Sequence, residues 1–377
     1  MSAVAAAIGL TSAPALAGTC TINITANSQT IDGFGCSSAW SGTLTSAQNN
    51  SLYSTLGFSI LRVRIDENNN WGEETANASA AHAAGAKVLG SPWFAPSSLR
   101  DSSQHLAPSH YGDYANWLNS AISSIGIDVI SIQNEPDYTS WMNWSATEIF
   151  NFMKNNAGVL SKPVCMPESF HFSDSYSDPV INDSTAVNHF TYLGGHIYGG
   201  GNSVHQNAIN HGKHVWMTEH YINGASTNIT TAITMAKEVS DCMNNQMSAY
   251  IWWWLNSGSE TRMVDGSGAI HKSGYILGQW AKWVRPGKQR VSATYNPTSN
   301  VYTTAYHNGG IVIVAVNTGT SSVSQTFTIQ NASGVTSFLV NRTSSSENMA
   351  GKTTASVANN TFSYTLPAQS VTTFHQF

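Results

Sequence analysis

Short apolar runs alternate with longer, helix-compatible segments from about residue 58 onward. The seven runs span residues 58–65, 86–93, 128–133, 163–168, 188–198, 214–219 and 249–254. Their starts lie roughly 25 to 40 residues apart, which is the spacing of strand–helix units rather than of hairpins. With residues 31–36 as a first strand there are eight units. The pattern therefore predicts an α/β fold, a closed (β/α)8 TIM barrel with its helices outside.

Two of the intervening segments, 110–123 and 232–244, carry apolar residues at helical intervals. The main alternative to the barrel is a doubly wound open sheet. Such a sheet normally has a glycine-rich phosphate loop after an early strand, and the sequence contains none. This absence favours the barrel.

The pattern changes after Trp283. Helical periodicity stops, and runs rich in Thr, Ser and Val at 302–306, 311–316 and 326–329 alternate with turn residues. This texture predicts a side domain that is an antiparallel β-sandwich. The strand-like segment 20–30 precedes the barrel and can join the side domain. We therefore expect a barrel at 31–285 and a side domain formed by 18–30 plus 286–377.

The N-terminus predicts export. A short apolar run is followed by Ala15-Leu16-Ala17, which fits the small-residue rule for signal-peptide cleavage, although no basic segment precedes it. We interpret residues 1–17 as part of a signal peptide and expect a secreted, extracellular protein. The four cysteines allow three complete pairings, and buried free thiols are an equally open alternative.

Composition narrows the class of partner. Charged residues make up 10% of the chain, against roughly 25% in ordinary globular domains, and the net charge is −5 without a Lys/Arg cluster. Nucleic-acid binding needs a basic patch and is disfavoured, and no apolar stretch of about 20 residues exists to cross a membrane. A surface rich in neutral hydrogen-bonding groups suits a neutral polymer. We expect a monomer.

Two glutamates carry the candidate chemistry. Glu135 follows an apolar strand within Asn134-Glu135-Pro136, and Glu219 ends another strand. These are the fourth and seventh strands of the predicted barrel, whose strand C-termini form the active-site face. Two carboxylates across a cleft can cleave a glycosidic bond, one by protonating the leaving oxygen and the other by attacking the anomeric carbon or activating water.

Aromatic residues near the strand ends favour a sugar-binding groove, because the C–H faces of pyranose rings pack on flat aromatic surfaces. The set is Trp40, Trp93, Tyr138, Trp141, Tyr198, Tyr221 and Trp252–Trp254. Arg62 and Arg64 alternate along the second strand, so both point to one side and need acidic partners. The histidines show no metal-site spacing, so we expect neither a metal nor a cofactor.

With these residues in place, the chain resembles glycoside hydrolase family 30, in particular its xylanase subfamily, from about Ile31 to the C-terminus. The resemblance rests on the segments 31–35, 61–66, 91–93, 133–136, 167–169, 196–199, 218–219 and 284–287.

The resemblance implies a barrel fused to a side β-sandwich and a retaining mechanism on xylan. It assigns Glu135 as acid/base and Glu219 as nucleophile. It also implies that Asn134 bonds the 2-hydroxyl of the attacked sugar. By the same resemblance, Trp93, Tyr198 and Trp253 line that subsite, while Tyr138 and Tyr221 shape the next one.

One departure concerns side-chain specificity. Glucuronoxylan-specific members carry an Arg, and a Tyr two residues later, after the last barrel strand, where this chain has Ser257 and Ser259. We therefore expect an endo-β-1,4-xylanase that does not depend on glucuronate branches. The alternatives are a glucuronoxylanase using Arg262, exo-action of the xylobiohydrolase type, a barrel glycosidase for another β-glycan, and a non-catalytic carbohydrate-binding protein.

Overall fold

The structure, a computed structural model, describes residues 18–256 and 258–377, with residues 258 and 259 described by their backbone alone. The predicted signal peptide at 1–17 lies outside the described residues. Eight parallel strands close into a barrel in chain order, from β2 to β9. These are β2 (Gly33–Ser37), β3 (Ile60–Ile65), β4 (Lys87–Pro92), β5 (Val129–Ser131), β6 (Val164–Ser169), β7 (Tyr192–His196), β8 (His214–Glu219) and β9 (Ala249–Trp252).

Helices connect the barrel strands and cover their outer face. They are α1 (Ser46–Asn49), α2 (Gly72–Ala83), α3 (Tyr111–Ala121), α4 (Ala146–Asn155), α5 (Asp174–Ile181), α6 (Gln206–Asn210), α7 (Ile229–Asn244), α8 (Gly258–Thr261) and α9 (Lys272–Ala281). Local signals start some of them: Ser145 and Glu148 form a capping box at α4, and the side chain of Asn228 caps α7. The predicted barrel is confirmed.

The barrel interior is apolar at its centre and polar toward the strand C-termini. One buried cluster takes residues from seven strands, among them Ile60, Leu89 and Trp216. Two residues further along the same strands stand Arg62, Ser91 and Thr218. Because side chains alternate along a strand, these polar groups point to the same side as the apolar cluster. The sequence thus places a polar layer directly above the apolar one.

A second sheet of nine strands forms the side domain, in the order β15-β14-β17-β12-β11-β10-β1-β13-β16. The strands are β1 (Thr19–Thr30), β10 (Gln289–Ala293), β11 (Val301–His307), β12 (Val312–Asn317), β13 (Val323–Gln330), β14 (Ser337–Thr343), β15 (Ala350–Ser356), β16 (Thr361–Leu366) and β17 (Ser370–His375). The rings of Phe362 on β16 and Phe374 on β17 lie 5.2 Å apart, so the two ends of the sheet fold over each other.

One pairing departs from the antiparallel prediction, since β1 pairs with β13 in parallel. Strand β1 enters from the other end of the chain, before the barrel, so no hairpin constrains its direction. The remaining pairings of this sheet are antiparallel.

The four cysteines are buried free thiols, which decides between the two alternatives left open by the sequence. Within the described residues, no helix combines the length and the apolar character needed to span a bilayer.

Candidate active site

Glu135 and Glu219 meet at the C-terminal mouth of the barrel. Glu219 is the last residue of β8, and Glu135 lies four residues beyond the end of β5. One oxygen of each carboxylate lies within 4.8 Å of the other. Only 5% of Glu135 and 6% of Glu219 are exposed to solvent. An approach this close between two carboxylate oxygens is compatible with the roughly 5–5.5 Å that separates the carboxyl groups of retaining glycosidases.

The carboxylate of Glu219 is held at both oxygens. The Nη1 atom of Arg62 contacts Oε2 at 2.6 Å, and the hydroxyl of Tyr198 donates to Oε1 at 2.9 Å. Burial raises the pKa of Tyr198 far above its usual value, and the nearby Glu219 charge raises it further. Tyr198 therefore stays a donor. The arginine and the hydroxyl therefore fix the orientation of the Glu219 carboxylate through two short hydrogen bonds.

Arg62 is fully buried and links three acidic or amide groups. Besides Glu219, its Nη2 donates to Oδ1 of Asn134 at 2.6 Å, and its Nε lies 3.2 Å from Oε1 of Glu168. Its guanidinium lies 4.8 Å from the centroid of the Trp93 ring. Arg64, two residues along β3, instead pairs with Asp66 and Glu67. The prediction that both arginines need acidic partners is therefore confirmed.

Glu135 accepts hydrogen bonds at both oxygens. The indole Nε1 of Trp141 donates to Oε2 at 2.7 Å, and Nδ1 of His196 lies 2.9 Å from Oε1. Burial acts to raise the pKa of Glu135, but the hydrogen bond and charge of His196 outweigh it, helped by Trp141 and Arg62, and the pKa is lowered.

Sequence reasoning did not select Glu168 and His196 as site residues. Both are fully buried, and Glu168 accepts a hydrogen bond from Ser91 at 2.7 Å. Burial raises the pKa of Glu168, but the Arg62 charge and His196 outweigh burial and hold it well below its usual range. Burial lowers the pKa of His196, yet its acidic neighbours raise it to about 9. Their signal in the sequence was a charged residue at the end of an otherwise apolar strand.

The backbone holds Glu135 and Glu168 in the left-handed region, with φ of 46° and 53°. The N–H of Glu135 donates to the carbonyl of Glu168 at 2.9 Å, which ties the two segments together. For residues other than glycine this conformation costs about 1–3 kcal/mol each and is concentrated at functional sites.

Tryptophans line one side of the mouth. The Trp40 ring lies 4.9 Å from Trp93 and 6.0 Å from Trp253, and Trp93 lies 5.9 Å from Trp253. Trp40 is 48% exposed, so its ring is available to a ligand. Trp252 departs from the expectation. It is fully buried in the main apolar core, and its indole donates to the carbonyl of Thr261.

A stack of rings forms the other side. Phe170 lies between Tyr138 and Tyr198, with centroid distances of 5.0 and 4.9 Å and nearly parallel planes. Tyr221 lies 5.7 Å from Tyr198. Tyr138 and Tyr221 are among the most exposed large aromatic residues of the described chain. The structure thus brings nine of the predicted residues to this mouth: Glu135, Glu219, Asn134 (through its bond to Arg62), Trp40, Trp93, Trp253, Tyr138, Tyr198 and Tyr221.

Glu135, His196 and Glu219 are near enough to one another to be considered as metal ligands. Their ligand atoms, however, already have partners: Oε2 of Glu219 contacts Arg62 at 2.6 Å, Oε1 of Glu219 accepts from Tyr198 at 2.9 Å, and Oε1 of Glu135 lies 2.9 Å from Nδ1 of His196. These contacts fit an ion-pair network better than a metal site.

The structure describes only part of the segment after β9 where the predicted glucuronate contact would lie. Ser257 and the side chain of Ser259 lie outside the described residues. Arg262 directly follows α8, and its backbone carbonyl accepts a hydrogen bond from Ser273 at 2.8 Å.

Comparisons with known proteins agree with this architecture. No family profile matches the chain. The chain is 39% identical to the glucuronoxylanase XynC of Bacillus subtilis (strain 168), covering 94% of this chain and 90% of that protein. It is similar to the crystal structure of a glycoside hydrolase family 30 endoxylanase from Clostridium papyrosolvens C71, with 41% identity, 95% and 99% coverage and a TM-score of 0.90.

A second solved structure has the same degree of similarity in fold. It is a family 30 subfamily 8 xylanase from Clostridium acetobutylicum, 36% identical, with a TM-score of 0.90 over 95% of this chain and 99% of that one.

Proposed function

Because the chain belongs to glycoside hydrolase family 30, whose enzymes are retaining glycosidases, we propose that it is an endo-β-1,4-xylanase with Glu219 as nucleophile and Glu135 as acid/base. The observation that carries this proposal is the pair of carboxylates within 4.8 Å at the barrel mouth. The two glutamates also differ in their partners, because Glu219 is held by a cation and a hydroxyl while Glu135 faces a histidine and an indole.

In the first step the ionised Glu219 attacks the anomeric carbon, and the bond between that carbon and the leaving oxygen breaks. The electron pair goes to the leaving oxygen, which takes a proton from Glu135. Arg62 and Tyr198 orient the attacking carboxylate. In the second step Glu135 removes a proton from water, whose oxygen displaces Glu219 from the sugar and restores both carboxyl groups.

Asn134 is the candidate contact for the sugar being attacked. Its Oδ1 is taken by Arg62, while its buried Nδ2 has no hydrogen-bond partner among the described residues. A buried donor without a partner is costly unless a ligand supplies an acceptor. The 2-hydroxyl of the sugar is such an acceptor.

The aromatic walls support a polysaccharide substrate. Trp40, Trp93 and Trp253 on one side and Tyr138, Tyr198 and Tyr221 on the other offer ring faces and hydroxyls to successive sugars. The relatives reported above are named as xylanases, which supports xylan as the polymer. Secretion and a monomeric state stay predictions from the sequence.

Independence from glucuronate branches is the finer part of the proposal. The segment from Trp253 to Ser259 contains no arginine, and an arginine–carboxylate contact there would contribute about 1.5–3 kcal/mol. The alternative, a glucuronoxylanase using Arg262, is favoured by the name of the Bacillus subtilis relative. Exo-action of the xylobiohydrolase type is a further alternative.

The specificity experiment compares kcat/KM on linear xylo-oligosaccharides with kcat/KM on the same oligosaccharides carrying one methylglucuronate. We expect a difference of less than about tenfold, since no contact of 1.4 kcal/mol or more is lost on the linear substrate. A preference of about a hundredfold for the branched substrate, abolished by Arg262→Ala, would establish the alternative. Products of several lengths from xylan indicate endo-action, and a single disaccharide product would indicate exo-action.

A further inference from the structure

His196 is the last residue of β7 and lies between the two proposed catalytic glutamates. Its Nδ1 is 2.9 Å from Oε1 of Glu135 and 3.8 Å from Oε1 of Glu219. Its Nε2 lies 3.8 Å from Oε1 of Glu168. The ring is fully buried. Three carboxylates therefore surround one imidazole that no solvent reaches.

Four charged side chains of the site surround this imidazole. Glu135 faces it from the loop after β5, Glu168 from β6 and Glu219 from β8, while Arg62 from β3 pairs with Glu168 and Glu219. The Tyr198 ring, 6.0 Å away on the same segment, is uncharged. With His196 protonated, two cations face three anions, and one negative charge remains uncompensated. With His196 neutral, the buried site has one cation against three anions, which is costly without solvent.

In the free protein, the hydrogen-bond partners of Glu135 favour its carboxylate form over its carboxylic acid form. Its Oε2 accepts from Trp141, which can only donate, and its Oε1 faces Nδ1 of His196. A proton shared by these residues therefore lies on the single line between Oε1 and Nδ1. A general acid, however, must be protonated at the moment when the leaving oxygen departs.

We propose that His196 is the positioning residue that stores the acid proton at Nδ1 and delivers it to Oε1 of Glu135 as Glu219 bonds to the sugar. This inference rests on the proposed function, since it assumes that Glu135 is the acid/base. The raised pKa of His196 and the lowered pKa of Glu135 agree with this distribution in the free protein.

The proton is conserved through the cycle. Transfer from Nδ1 converts imidazolium and carboxylate into neutral imidazole and carboxylic acid, and Glu135 then passes the proton to the leaving oxygen. Glu219 loses its negative charge when it becomes a glycosyl ester, which removes one of the charges that stabilise the imidazolium. In the second step Glu135 takes a proton from water and returns it to His196 once the Glu219 charge is restored.

The kinetic test uses His196→Asn, which keeps an N–H donor near the position of Nδ1 but cannot release a proton. Two aryl β-xylobiosides are compared, one with phenolate and one with 2,4-dinitrophenolate as leaving group. The good leaving group needs no acid, whereas general acid catalysis of a poor one contributes about 100-fold or more. His205→Asn is the matched control, because His205 is also buried but pairs with Asp174.

For His196→Asn we expect kcat/KM to fall about 100-fold with the phenyl substrate and less than about threefold with the dinitrophenyl one. The alkaline limb of the pH profile with the phenyl substrate should move to lower pH. Wild-type rates on both substrates and an unmoved alkaline limb would overturn the inference, since a hydrogen bond alone would then suffice. An equal loss on both substrates would also overturn it. A wild-type protein inactive on both would instead refute the proposed function.

A second measurement needs no variant and remains available if His196→Asn does not fold. Nitrogen NMR of wild-type protein labelled in histidine should show an imidazolium at about pH 8, since the pKa of His196 is raised to about 9. When a 2-deoxy-2-fluoro sugar is trapped on the enzyme, the imidazolium signal should be replaced by the signal of a neutral imidazole. If no histidine is an imidazolium that turns neutral on trapping, the inference is wrong.

Discussion

At the scale of single residues, the barrel pattern predicted the position of the two glutamates but not their partners. Glu135 and Glu219 each end an apolar run, and strand ends at one face of a barrel were expected to meet. The partners of Glu135 come from elsewhere in the chain, His196 from β7 and Trp141 from the loop before α4. Such pairings depend on side-chain rotamers across strands, which strand spacing does not encode.

Removing the charge of Glu168 should destabilise the folded protein. In Glu168→Gln, Arg62 and His196 each lose a buried anionic neighbour, so we expect the free energy of unfolding to fall by about 3 kcal/mol or more. Urea denaturation of both proteins measures this. Ser91→Ala, which removes one hydrogen bond to the same carboxylate and one from Nε of Arg62, should cost about 1–2 kcal/mol. Equal costs for the two variants would show that the charge of Glu168 is not needed.

At the scale of strands and helices, the alternation of apolar runs with helix-compatible segments predicted the barrel and its eight strands, and the change of pattern after Trp283 predicted the second sheet. It did not predict that β1 pairs in parallel with β13, because the direction of a strand that joins from a distant part of the chain is set by packing. Nor did it separate Trp252, which packs under the helices, from the tryptophans at the mouth. Strand β9 ends at Trp252, whereas Trp253 and Trp254 follow the strand with their rings stacked 4.8 Å apart.

At the opposite end of the barrel, a histidine pairs with an aspartate. At the start of β8, Nδ1 of His214 lies 2.6 Å from Oδ2 of Asp32, which also accepts from the indole of Trp216. The hydrogen bond to Asp32 raises the pKa of His214 above 6.5, against the effect of burial. A raised histidine pKa means that the stabilisation is complete below the unfolded-state pKa and is lost as pH rises through the folded-state pKa.

We therefore expect His214→Gln to lower the Tm most below about pH 6.5, with a difference that shrinks as pH rises. Thermal unfolding followed by circular dichroism across this range measures the effect. Activity should be unchanged, because the pair lies at the strand N-termini, away from the active-site face. His211→Gln, a change in an exposed residue nearby, is the control. A difference in Tm that grows with pH would contradict this assignment.

At the scale of the whole molecule, the barrel and the second sheet share one apolar core. Val312, Val314 and Val316 of β12 belong to the same buried cluster as Leu277 and Trp280 of α9. Hydrogen bonds cross the same boundary, among them Arg290 to Asn244 and Lys272 to the carbonyl of Ser344. The change of pattern after Trp283 indicated two units, and the absence of a flexible linker in the sequence favoured close packing, but the sequence did not show which residues the two units share.

This shared core makes separate folding unfavourable. We expect differential scanning calorimetry to show one transition for the whole chain, because removing the sheet would expose Trp280 and Leu277 to water. A chain ending at residue 286 should be insoluble or lack cooperative unfolding. A folded, active truncated barrel would contradict this expectation and make the side domain dispensable.

The proposed mechanism requires Glu219 to form a covalent bond to the sugar while Glu135 transfers protons. In a 2-deoxy-2-fluoro-β-xylobioside, the fluorine slows both the formation and the hydrolysis of the glycosyl-enzyme. A good leaving group makes the formation step fast again, so the intermediate accumulates. Mass spectrometry of the intact protein and of its peptides should find one fluoroglycosyl unit, attached to Glu219. A label on Glu135 or Glu168, or xylan hydrolysis by the Glu219→Ala variant at the wild-type rate, would show that Glu219 is not the nucleophile.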